Sequence, residues 1–228
     1  MTVTSSTLFR AAAGAAVLAG LIFIGVQINH PYLDATSITT TDVMTRNSLK
    51  VLMVTLTLVG ITGIYLRQVT KMGWLGLLGF VVFALGYLSM LGTEFVAALV
   101  LPSIAHTSTA YVNDVISAFN NRPATGSIGR MQFALVFTAV TYIAGGFLFA
   151  IALFRANVLA RWASVLLAVG TAATIATGMV PQYERLFAIP TGLALVALGY
   201  SLWRDQRTPA AAPVLNPVRS QLDAVGAK

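Results

Sequence analysis

Residues 73–105 read GWLGLLGFVVFALGYLSMLGTEFVAALVLPSIA, apolar throughout except for Glu94 and a few hydroxyls. As a single helix this run would be about 50 Å long, against roughly 30 Å for the hydrocarbon core of a bilayer. A run this apolar belongs in lipid, and a run this long predicts a break. Leu91-Gly92-Thr93-Glu94 supplies one: Gly92 suits a helix C-terminus and Thr93 an N-cap. Glu94 then falls in the first turn of a new short helix, where the helix dipole favours a carboxylate. The remainder, Phe95–Ala105, is too short to span. It either projects outward or folds back as a re-entrant element.

Composition sets the class. The chain has 228 residues, of which 57% are hydrophobic and 9% charged, whereas soluble domains carry roughly a quarter charged residues. Most of its outer surface must therefore face lipid. With no cysteine, disulfides, thiolate metal sites and cysteine nucleophiles are excluded. The net charge of +7 is distributed in short clusters between apolar runs. That is the pattern of topology signals beside anionic lipid, and it implies no nucleic-acid partner.

Six apolar runs predict an all-α bundle of six transmembrane helices forming one membrane domain over 1–207, with a flexible tail over 208–228. The spans fall at about 8–28, 41–66, 74–92, 131–154, 160–180 and 186–203. The second starts at Thr41 because Thr39-Thr40-Thr41-Asp42 has capping-box spacing. The first reads as a retained span, since no small-x-small cleavage site follows it. Arg10, Arg67, Lys71, Arg155, Arg161, Arg204, Arg207, Arg219 and Lys228 share one side. They outnumber Arg46, Lys50, Arg122, Arg130 and Arg185 on the other. The first side is expected to be cytoplasmic, so both termini lie inside and the protein sits in the cell membrane.

The long outer connections carry their own signal. In 111–119, Tyr111, Val112, Val115, Ile116 and Phe119 share one helical face, while Asn113, Asp114 and Ser117 share the other. This predicts a short interfacial helix lying on the membrane or capping the bundle. Ala12, Ala16 and Gly20 on the first span, Gly145-Gly146 on the fourth, and Gly170, Thr174 and Gly178 on the fifth allow close helix approach. Such stripes suit a compact bundle, a homo-oligomer face or a place in a larger membrane complex. Pro190 is expected to kink the last span. The stretch Ala152–Trp162 and the pattern Gly192…Gly199…Trp203 resemble those of small multi-span bacterial proteins, a likeness that implies no particular activity.

Glu94 has two readings. It starts a helix at the outer interface, with Arg130 or Arg185 as ion-pair partner, or it lines an outward-open pocket. The pocket would take in Tyr87, Met90, His30 and His106, and such walls suit an apolar or amphipathic ligand, lipid- or isoprenoid-like, better than an ion. His30 and His106 are the residues that would hold a haem or divalent metal, but they lack ligand spacing, and the sequence implies no cofactor. There is no nucleotide-binding motif, no HExxH and no lysine deep in a span. The best-supported activity is therefore binding rather than catalysis. A small permease would need a polar path inward, for which Thr55, Thr57, Thr62, Thr171 and Thr174 are the candidates. A membrane enzyme using Glu94 as general acid would need a second group, and none stands out.

Overall fold

The computed structural model describes residues 4–175 and 186–207. Among the described residues every regular element is helical. Helix α1 spans Ser5–Gly25 and α2 Thr41–Phe95, followed by a π turn at Val96–Val100 and the short α3, Leu101–Ile104. Then come α4 (Thr109–Phe119), α5 (Arg130–Ala156), α6 (Arg161–Ala173) and α7 (Ile189–Asp205). Four helical stretches are long and apolar enough to cross a membrane: Ser5–Gly25, Thr41–Ile104, Arg130–Ala156 and Leu186–Asp205.

The longest of these, Thr41–Ile104, is a hairpin. Gly73 sits at φ 57, ψ −160, a backbone state that a side chain resists, and the chain doubles back there. Tyr65 stacks on Phe80 with ring centroids 4.5 Å apart. Lys50 reaches Glu94 at 3.9 Å, and Asn47 donates to the Ala97 carbonyl at 3.3 Å. These pairs are centred on residues 72–73 and fix two antiparallel arms, 41–72 and 74–95. The first helix of the pair therefore runs past Leu66 to the Gly73 turn.

The expected break at Leu91–Glu94 is absent. Helix α2 continues through it to Phe95, and the Thr93 hydroxyl donates back to the Met90 carbonyl at 3.0 Å instead of capping a new helix. The run from 74 to 104 is thus about 46 Å of helix, and one face of its last turns is buried by protein. Ala97, Ala98, Leu101 and Ala105 are 7%, 2%, 1% and 2% exposed. Ala97, Leu101 and Ala105 join Ile38, Val43, Val112, Val115, Ile116 and Ile128 in a second small core. This cap covers the end of α2 and removes the need for a break.

Helix α4 lies where the sequence predicted and starts two residues earlier, but its polar face is tied to the long loops. Asp114 is 8% exposed and accepts from the Thr125 amide at 2.7 Å, the Thr125 hydroxyl at 2.9 Å and the Gly126 amide at 3.0 Å. Asn113 accepts from the Ala35 amide at 2.8 Å. The face binds both long loops to the cap. In the first loop, Asp34 accepts from the amides of Ser37 at 2.7 Å and Thr36 at 2.9 Å. The helix start at Thr41 is as read, by a different route. Thr39 and Thr40 donate back to Thr36 and Ser37 carbonyls at 2.7 and 2.6 Å, and Asp42 pairs with Arg46.

The Ser37 amide holds the Asp34 carboxyl below its usual value of 3.8, and the Thr125 amide does the same for Asp114. The unfolded chain therefore binds these protons more readily than the folded one. The stabilisation is complete above the unfolded value and is lost as pH falls through the lowered folded values. Melting temperature should be flat from pH 5 to 8, by the usual carboxylate range, and fall below about pH 4. The pair Asp34→Asn and Asp114→Asn should remove most of that acid slope. A wild-type profile that stays flat in acid would contradict this account.

The bundle itself packs through small residues. Gly60 and Gly63 on the first arm of α2 meet Ala16 and Ala12 of α1, and Gly20 of α1 meets Gly192 and Val196 of α7. Gly79 and Gly86 on the second arm meet the backbone at Phe149 and Tyr142 of α5, and Gly170 meets Thr191. The Ala12-Ala16-Gly20 stripe is therefore used within the chain. Pro190 lies in the first turn of α7, where its missing N–H costs nothing, so it starts that helix and does not kink it. Arg67 holds Asp205 at 2.6 and 3.2 Å, tying α7 to α2 at the end of the bundle that carries the Gly73 turn.

Candidate functional site

At the opposite end, between α1, α2, α5 and the loop after α4, lies a cavity of about 790 Å³. Its walls are largely apolar. Phe23 comes from α1, Met53 and Met90 from the two arms of α2, and Ile143 from α5. Its polar groups come from different elements: among them are Lys50, Thr93 and Glu94 from α2, Gln132, Thr138 and Tyr142 from α5, Gln27 after α1, Asn121 and Arg122 from the loop after α4, and Thr174 after α6.

The floor is closed. Tyr142 is 5% exposed and donates to the Thr191 hydroxyl at 3.1 Å. From Tyr142 an aromatic stack runs toward the Gly73 end. Tyr87 and Phe83 both stand 5.6 Å from Tyr142, Phe149 6.0 Å from Phe83, and Phe80 6.2 Å from Phe149. The chain can build this stack because Gly79, Gly86 and Gly145 let α2 and α5 approach backbone to backbone. Beside it, Thr138 donates to Ser89 at 2.7 Å.

The sequence-predicted site residues separate into groups. Glu94 and Met90 line the cavity. Tyr87 lies one layer below it, fully buried against Tyr142. His30 and His106 do not line it: His30 Nδ1 is 2.9 Å from the Pro31 carbonyl, and His106 is exposed. Among the described residues no group of three or more His, Asp or Glu side chains converges. The ion-pair partner of Glu94 is Lys50 at 3.9 Å, not Arg130, while Arg185 lies outside the described residues. The reason is the hairpin, which sets Lys50 on one arm opposite Glu94 on the other.

Lys50, Arg122, Thr138 and Tyr142 were not singled out from sequence. One signal for Lys50 was available: a helix beginning at Thr41 places it in the third turn, inside the helix and not in the loop before it. Nothing local to Arg122 or Tyr142 marks them, since both join the site through long-range packing.

No protein family, curated protein or solved structure matches this chain. Fold and cavity together define its class: an all-helical chain whose longest helices are suited to a membrane, enclosing a one-ended, mostly apolar cavity.

Proposed function

We propose that the chain is a six-span cell-membrane protein that binds a small apolar or amphipathic ligand, lipid- or isoprenoid-like, in the cavity beside Glu94. The described part of α6 is short, and the fifth span as read, 160–180, continues into residues outside the described set. Both termini are placed in the cytoplasm. The Gly73 end carries Arg10, Arg67, Lys71, Arg155, Arg161, Arg204 and Arg207, and basic residues mark the cytoplasmic side. Trp74 and Trp162, 85% and 63% exposed, suit the interface at that end. The cavity then opens outward.

The observation that carries this reading is the cavity of about 790 Å³, closed at its Tyr142 floor and mostly apolar, with polar groups converging on it from several elements, which is the form ligand sites take. The permease reading is less well supported. Thr55 and Thr62 are exposed on the outside of the bundle. Thr57, Thr171 and Thr174 donate to their own helix at 2.8, 3.0 and 2.6 Å; Thr174 lines the cavity, but the buried aromatic stack lies below it on the way inward.

Native mass spectrometry of the solubilised protein tests the proposal, using Ala139→Trp to fill the cavity from α5. Wild type should retain a stoichiometric adduct, and the Ala139→Trp variant should fly bare with nearly the same melting temperature. An adduct that survives the substitution, or a bare wild-type chain, would remove the cavity as a binding site.

A further inference from the structure

We infer that the ligand is an amphiphile with an acidic head group, a carboxylate or phosphate monoester, whose head lies between Lys50 and Arg122 and whose chain lies along Phe23, Met53 and Met90. This rests on the reading of the cavity as a ligand site and adds the chemistry of the ligand's head.

Three charged side chains line the cavity among the described residues: Lys50, Glu94 and Arg122. Together these three carry one positive charge. Lys50 is the telling group. Its side chain is 17% exposed, and among the described residues its only contact with an acid is Glu94 Oε2 at 3.9 Å, too long for a hydrogen bond. The other pairs are closed: Arg67 to Asp205 at 2.6 Å and Arg46 to Asp42 at 3.0 Å. Arg46 also donates to the Ile28 carbonyl at 2.8 Å. An ammonium carries three donors and is strongly hydrated; this one makes no hydrogen bond to a described residue, so its donors remain open to a ligand's acid. Arg122, at the rim, has its guanidinium 5.8 Å from the centre of the Tyr32 ring and forms no ion pair among the described residues. Among the described residues, two cations thus face a cavity that holds a single carboxylate, and the apolar wall runs below them. An acidic head with an aliphatic chain satisfies both parts. A free inorganic anion would leave the wall uncovered, and a cationic amphiphile would meet the wrong sign.

Photo-crosslinking in phosphatidylcholine nanodiscs tests this. The probes are diazirine-bearing palmitic acid, hexadecyl phosphate, hexadecanol and hexadecylamine, with crosslinked residues mapped by mass spectrometry. Either acid should label the α2 and α5 walls about tenfold more than the alcohol, the gain expected from one charge-assisted hydrogen bond. Comparing the two acids identifies which head is preferred. Lys50→Gln and Arg122→Gln should each bring acid labelling toward the alcohol level while leaving alcohol labelling unchanged, which shows the fold intact. Lys50→Arg should retain acid labelling. Glu94→Gln should raise it, by freeing Lys50. Equal labelling by acid and alcohol would overturn the head-group inference and leave the cavity a ligand site. Labelling strongest with the amine and lost in Glu94→Gln would overturn it in the same way. Labelling that excess inorganic phosphate displaces from wild type would mean that the cations bind a free anion. If no probe marks the cavity, both this inference and the binding reading fall.

Discussion

Gly145→Ala is expected to destabilise the protein by about 2–3 kcal/mol, at the upper part of the usual range for overpacking, while Gly92→Ala leaves it unchanged or slightly more stable. A Cβ on Gly145 would collide with the backbone of the second arm of α2, at Phe83 N, Phe83 Cα and Val82 C. Backbone cannot rotate away as a side-chain tip can, so the two helices must separate. Separation also opens the contacts among Phe83, Tyr142 and Phe149, the floor residue Tyr142 and the rings beneath it. At Gly92 a Cβ meets nothing within 4 Å, and alanine is a better helix former than glycine by up to about 1 kcal/mol. Thermal unfolding of the two variants in the same detergent measures the contrast. A loss of about 2–3 kcal/mol corresponds to a fall of roughly 4–12 °C for a domain of this size. Should Gly92→Ala prove the more damaging, α2 would end at Gly92 after all, because a helix-terminating glycine tolerates alanine poorly.

Asn47→Leu should cost about 1–3 kcal/mol, the penalty for a buried carbonyl left without a donor. The cause lies across the hairpin. The Leu101 amide donates to Val96, five residues back and not four, so Ala97 loses that donor. The next amide along would belong to Pro102, which has none. The Ala97 carbonyl therefore has no donor in its own helix, and Asn47, 2% exposed, supplies one at 3.3 Å. Pro102→Ala restores an N–H to the chain, so Asn47→Leu should cost clearly less in that background. A double-mutant cycle on melting temperatures reads the coupling. If Asn47→Leu is equally costly with and without Pro102, the π turn does not depend on this exchange of partners.

This pair of residues also shows where sequence reading stopped. Pro102 and Gly92 are both visible in the chain. Glycine is the conventional helix terminator, yet here it is an open position in an uninterrupted helix. Proline disturbs the ladder ten residues later and produces a π turn instead of a break. The difference depends on Asn47, 50 residues away in sequence, and on a cap that buries the overlong helix end. Asp114 behaves similarly: its helical face was legible, but its burial followed from the Thr125–Gly126 loop folding onto it.

The sequence by itself determined that this is an all-helical chain with helices long and apolar enough for a membrane, and it located α1, the start of α2, α4 and α5 closely. Helix in lipid satisfies its own backbone, so apolar length and flanking polarity suffice to find it. Glu94 and Met90 were also legible as candidates, because a carboxylate in an apolar run is conspicuous. Only the tertiary structure decided what Glu94 faces. The Gly73 hairpin brings Lys50 to it, glycine contacts draw α5 in to form the floor, and the loop after α4 delivers Arg122 to the rim. Each of these joins residues far apart in the chain, and no local pattern encodes such a meeting.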